Sequence, residues 1–150
     1  MENAVRMNAR FTVAKFAPSP DALKDAADEG FKSVVNMRTE NEKQEVTPGE
    51  EREHARAAGL TYLHHPVDGE KLSEDVVDRF REKVVDLPGP VLVHCASGKR
   101  SGWMVIMHLA AEQGLSGDEA VAKATSLGFE QDASGLERFV RRYLDRHGDQ

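Results

Sequence analysis

From Ser19 onward the apolar positions fall into two kinds of run. Phe31 to Met37, Leu60 to His65 and Val91-Leu92-Val93 are short and rich in β-branched residues, the mark of strands. Elsewhere apolar residues recur every three or four positions, the mark of helices. Val76, Val77, Phe80, Val84 and Leu87 form one such series, and Ser101 to Gln113, Ser116 to Leu127 and Leu136 to His147 form three more. Two further helices announce themselves by their ends. Ser19-Pro20 is an N-cap followed by proline at the first helical position, and Gly30 supplies the left-handed stop. Thr47-Pro48-Gly49-Glu50 has capping-box spacing and opens a helix that ends near Gly59, while Ser73 caps the helix that Pro88-Gly89-Pro90 halts. Met1 to Phe16 has no continuous apolar region.

Strands alternating with helices predict an α/β domain: a central, mostly parallel sheet of four or five strands flanked by helices. Val91-Leu92-Val93 is apolar on both faces, as a strand in the middle of such a sheet must be. No repeat, low-complexity tract or linker interrupts the 150 residues, so 1–150 reads as a single domain.

Composition narrows the function. With 39% apolar and 31% charged residues the chain builds a packed core. A net charge of −6 disfavours nucleic acid and anionic membrane surfaces as partners. The longest apolar stretch, Trp103 to Ala111, is broken by His108 and is too short to span a bilayer. A single cysteine, Cys95, forms no internal disulfide and suits a reducing compartment, so the expected location is the cytoplasm.

That cysteine lies in His94-Cys95-Ala96-Ser97-Gly98-Lys99-Arg100-Ser101-Gly102, where the most buried strand passes into a helix. Ligands of open parallel sheets bind at this edge. Unpaired N–H groups at a helix start, with the helix dipole behind them, bind an oxyanion and stabilise a thiolate. Gly98 permits the positive φ that a cradle needs, and without proline the backbone of Ala96, Ser97, Gly98, Lys99 and Arg100 keeps its donors for substrate. Arg100 adds a planar fork for two oxygens. In the plain structural alternative, Cys95 is a small buried residue and Arg100 a solvated one; the clustering of cysteine, glycine and arginine after a buried strand argues against it.

His94-Cys95, Gly98 and Arg100-Ser101 resemble the phosphate-binding loop of cysteine-dependent tyrosine and dual-specificity phosphatases. Gly30 to Arg38, Ala58 to Tyr62 and His65-Pro66-Val67 resemble a bacterial phosphatase-like family that also occurs fused to beta-lactamase-like hydrolases. The likeness runs from Phe16 to about Met107. It implies a dual-specificity-phosphatase-like fold, a phosphocysteine on Cys95, a hydroxyl on Ser101 that helps the sulfur leave, and a phosphorylated small molecule or phosphoprotein as substrate. It implies no cofactor, and since His64 and His65 are adjacent and no Cys/His spacing resembles a zinc site, no metal is expected. One departure stands out. Four residues separate Cys95 from Arg100, where the phosphatases place five, and this spacing is similar to rhodanese-type sulfurtransferases, whose cysteine carries a persulfide. A third reading is a non-catalytic phosphate-recognising module.

A hydrolase needs a general acid for the leaving alkoxide. Asp68, on the His65-Pro66-Val67-Asp68-Gly69 turn, stands where the resembled phosphatases carry their acid, with Glu70 in reserve; Asp68 also reads as an ordinary turn residue. Ser101 doubles as a helix cap, and His94 is either a tuner of the cysteine or a packed strand-end residue. Arg38, Glu40 and Glu42 follow a strand and so could line the same sheet edge as Cys95, with a solvated loop as the preferred reading. Arg138, Arg141, Arg142 and Arg146 lie on one broad helix face and suit the C-terminal dipole.

Overall fold

Four parallel strands end at one level, and this alignment places the site. The computed structural model describes residues 1–129 and 135–147. Five strands, β1 (Ala4–Arg6), β2 (Phe11–Ala14), β3 (Ser33–Asn36), β4 (Thr61–His64) and β5 (Val91–His94), form one sheet in the order β1-β2-β5-β3-β4. Only β1 runs antiparallel to its neighbour. In register, Ala14 faces His94, His94 faces Asn36, and Asn36 faces His64. The segments that follow these four residues therefore share the carboxyl edge.

The helices are α1 (Pro20–Asp28), α2 (Pro48–Ala57), α3 (Glu74–Val84), α4 (Lys99–Gln113), α5 (Gly117–Ser126) and α6 (Leu136–His147). α1, α2 and α3 start where their capping residues predict, whereas α4 starts at Lys99, before the expected Ser101, and Gly98 is its N-cap, so Ser101 is not. Ser19 accepts from the Ala22 N–H, Ser73 from that of Val76, and Thr47 with Glu50 closes a reciprocal capping box.

Alternation along the strands divides the core. Phe11, Val13, Val35, Val91 and Val93 face α3, α4, α5 and α6, whereas Val34 and Leu92 join Leu23, Ala26, Ala55 and Leu60 under α1 and α2. With both faces covered, every residue of β5 is buried. Central to the larger layer is α4, in which every residue from Ser101 to Ala110 is buried. Such a helix cannot be amphipathic, and its start is held rigidly against the end of β5.

The hairpin of β1 and β2 lies in the stretch without a continuous apolar run. Its turn is closed by Asn8, whose Oδ1 accepts from the N–H groups of Arg10 and Phe11. Arg10 then reaches across to the Val84 and Leu87 carbonyls at 2.6 and 2.7 Å, satisfying acceptors at the end of α3. Among the described residues, no helix is long and apolar enough to cross a membrane.

Candidate active site

The loop between β5 and α4 turns at Gly98, whose φ of 93° lies in the left-handed region. Only glycine suits the position, because an added Cβ would meet the Lys15 Cα at 3.0 Å and the Ala14 carbonyl oxygen at 3.2 Å. Gly98 is also the N-cap of α4, and no side chain caps that helix. No capping side chain therefore competes with a sulfur or an oxyanion for the backbone donors there.

Cys95 sits at the floor of this turn, 1% exposed. Its Sγ accepts from the Gly98 N–H at 3.2 Å and lies 3.5 Å from the Ser101 hydroxyl. Burial, the largest single influence, pushes the thiol pKa up. The Ser101 hydroxyl, the N–H groups of Ser101 and Ser97, and the Arg100 charge together outweigh burial, and the net shift is downward. The geometry thus stabilises the thiolate, the nucleophilic form of cysteine.

Arg100 is anchored from outside the loop. Its Nη1 and Nη2 donate to Glu42 Oε1 and Oε2 at 2.8 and 2.9 Å, and Nη1 donates again to the Val67 carbonyl at 2.9 Å. A guanidinium has five N–H donors, and these three contacts leave the Nε–H and one Nη2–H on a single edge. That edge is a two-pronged donor for an oxyanion. The hydrogen bond from Arg100, opposed by burial and aided by Thr39, lowers the Glu42 carboxyl to about 2.

Glu42 and Arg38 correct the solvated-loop reading of the segment after β3. Glu42 is half-buried and fixes Arg100, and Arg38 is 2% exposed and pairs with Glu51 at 2.8 Å, while only Glu40 is exposed as expected. Glu51, on α2, is completely buried and also accepts from His94 Nε2 at 2.7 Å. Stripping one partner from such a buried pair costs about 3–5 kcal/mol. The expectation for α6 also needs adjustment: Arg141 pairs with Asp118 and Glu137, and Arg146 with Glu74, so these arginines hold neighbouring helices.

Asp68 follows β4 and lines the same open cavity, of about 550 Å³, as Glu42, Ser97, Lys99, Arg100 and Glu70. Its side chain accepts from the Glu70 N–H at 2.9 Å, so it also shapes its own turn. A second cavity of about 290 Å³, lined by Lys15, Ser97, Gly98, Lys99, Trp103 and Phe129, also adjoins the loop. The structure therefore gathers Cys95, Ala96, Ser97, Gly98, Lys99, Arg100, Ser101 and Asp68 at the carboxyl edge of the sheet. Glu51 and the Val67 carbonyl escaped the sequence reading. Among the described residues, no three His, Cys, Asp or Glu side chains form a group able to hold a metal ion.

Residues 6–114 match the family described as beta-lactamase hydrolase-like protein, phosphatase-like domain. The chain belongs to that family. A beta-lactamase hydrolase-like protein of Agrobacterium fabrum is 36% identical over 100 residues, covering 65% of this chain and 23% of the relative. The chain spans less than a third of the length of the curated relatives it matches. Among solved structures, Tk-PTP in its active form superposes with a TM-score of 0.77 at 23% identity, covering 97% of each chain. Pseudomonas aeruginosa TpbA, solved as a cysteine-to-serine variant in complex with pTyr, gives 0.74 at 20% identity, covering 96% of this chain and 88% of its own. These likenesses establish the phosphatase-like α/β fold.

Proposed function

We propose that this domain is a cysteine-dependent phosphatase that hydrolyses phosphate monoesters through a phosphocysteine on Cys95. The observation that carries the proposal is the convergence on one sulfur of a backbone N–H, a serine hydroxyl and an anchored guanidinium at an uncapped helix start. The Cys95 thiolate attacks phosphorus, forming an S–P bond as the P–O bond to the leaving group breaks. The loop amides and the remaining edge of Arg100 hold the equatorial oxygens through the transition state. Asp68 gives its proton to the departing alkoxide, then takes one from the water that attacks the phosphocysteine. Phosphate leaves, and the Ser101 hydroxyl stabilises the returning thiolate. This chemistry uses no cofactor. The open mouth suits a phosphorylated small molecule or a phosphoprotein side chain, the tyrosine and dual-specificity class, and a single free cysteine suits the cytoplasm.

The test is hydrolysis of an aryl phosphate in the presence of a chelator. Turnover inhibited by vanadate and abolished in Cys95→Ser supports the reading; no turnover between pH 5 and 8 overturns it. The four residues between Cys95 and Arg100 favour a second reading, sulfane-sulfur transfer through a Cys95 persulfide. Thiosulfate-to-cyanide transfer with a matching mass increase on Cys95 would select it.

A further inference from the structure

Behind the nucleophile lies a chain of buried polar groups that the proposed chemistry does not use. Arg38, Glu51 and His94 are 2%, 0% and 0% exposed. They come from the end of β3, from α2 and from β5. One Glu51 oxygen accepts from Arg38 Nη2 at 2.8 Å and the other from His94 Nε2 at 2.7 Å. On the far side of the His94 ring, Nδ1 lies 3.3 Å from the carbonyl oxygen of Cys95. A carboxylate and a carbonyl only accept, so this ring is fully satisfied only with hydrogen on both nitrogens.

The rest of the surroundings is consistent with this. Arg38 is fixed by Asn36 Oδ1, which accepts from its N–H and its Nε. The Tyr62 hydroxyl, from β4, accepts from Asn36 Nδ2 and donates to the Pro48 carbonyl; burial holds this phenol up at about 12, so it stays neutral. Beyond Cys95 stand Arg100 and Glu42, already paired. His64, on β4, is turned to the Arg38 carbonyl.

We propose that Glu51 is a positioning residue for the nucleophile: its carboxylate fixes the His94 ring so that Nδ1–H donates to the Cys95 carbonyl. The inference rests on the part of the functional reading that makes Cys95 a thiolate nucleophile, and it holds for phosphoryl and sulfur transfer alike. In Glu51→Gln the His94 ring loses its anionic partner and keeps one hydrogen. Arg38, residue 51 and His94 then sum to the same charge as before. What changes is placement: the amide oxygen must face the Arg38 donor and its NH2 the His94 Nε2, so the ring keeps only the Nδ1–H on the Cys95 carbonyl and loses its positive charge, and the sulfur holds its proton more tightly.

Nitrogen-15 imidazole spectra of the wild-type chain at neutral pH read the hydrogens directly. Two ring N–H signals from His94 are expected, and a single one overturns the proposal without recourse to any variant. In Glu51→Gln one of the two should vanish. Iodoacetamide alkylation of Cys95, measured below the thiol midpoint, should slow roughly tenfold, the equivalent of one pKa unit. A folded Glu51→Gln chain whose alkylation profile superimposes on the wild type also overturns the proposal. If both readouts respond while no phosphate ester turns over, the positioning role stands and the hydrolase reading falls.

Discussion

Replacing Glu42 by glutamine tests whether Arg100 depends on its anchor. The Glu42 carboxyl falls from an ordinary 4.5 to about 2, through the Arg100 hydrogen bond first, against burial, and with help from Thr39. A difference of that size between folded and unfolded chains is worth about 3 kcal/mol at full strength. Both side chains are 21% exposed, so solvent screening trims the contribution to about 1–2 kcal/mol. The folded-state pKa is the lower one. The contribution is therefore complete above pH 4.5, declines as pH falls and is gone near pH 2. Glutamine lacks the charge at every pH, so denaturant unfolding should show a wild-type advantage that is widest at pH 7 and narrows toward pH 3. Activity should fall more than stability. Without the two-point anchor the guanidinium samples other rotamers, and misplacing a charge-stabilising group by about 1 Å costs on the order of a hundredfold in rate. An advantage that stays constant from pH 7 to pH 3, or an unchanged kcat/KM in a folded Glu42→Gln chain, refutes the reasoning.

Two other substitutions probe the ends of the site. Gly102→Ala would place a Cβ 2.2 to 2.7 Å from the Phe129 ring, and overpacking of about 1–3 kcal/mol exceeds the roughly 1 kcal/mol gained in helix propensity; denaturant titration should show a net loss of about 1 kcal/mol. Asp68→Asn should depress turnover of alkyl phosphates, whose leaving groups need a proton, far more than that of activated aryl esters, and should flatten the acid-dependent limb of the pH–rate profile. Equal losses for both substrate types would remove Asp68 as the general acid.

The legible part of the fold is the part encoded locally. Ser19-Pro20, Thr47 with Glu50, and Ser73 opened their helices because side-chain capping is settled within three residues, and β5 was evident because a fully buried parallel strand has apolar residues on both faces. The β1–β2 hairpin was not legible. Its strands have three and four residues, and the turn is closed by the Asn8 side chain instead of a glycine pair.

The site divides along the same line, for a reason that bears on how its chemistry is tuned. Cys95, Gly98, Arg100 and Ser101 are close in sequence, so one short segment displays the sulfur, the turn and the guanidinium together. What holds these groups in place comes from elsewhere: Glu42 from the loop after β3, the Val67 carbonyl from the loop after β4, and Glu51 from α2. Glu51 gives no signal because Pro48 to Ala57 has no large apolar side chain to mark a buried face, so a carboxylate there looks solvated. Only the sheet order brings α2 behind the end of β5. Arg100 is held from outside its own loop, by Glu42 and the Val67 carbonyl, through three of its five donors. The remaining edge of the guanidinium fixes where an oxyanion can sit. The position of that oxyanion is therefore set by residues that lie outside the loop itself.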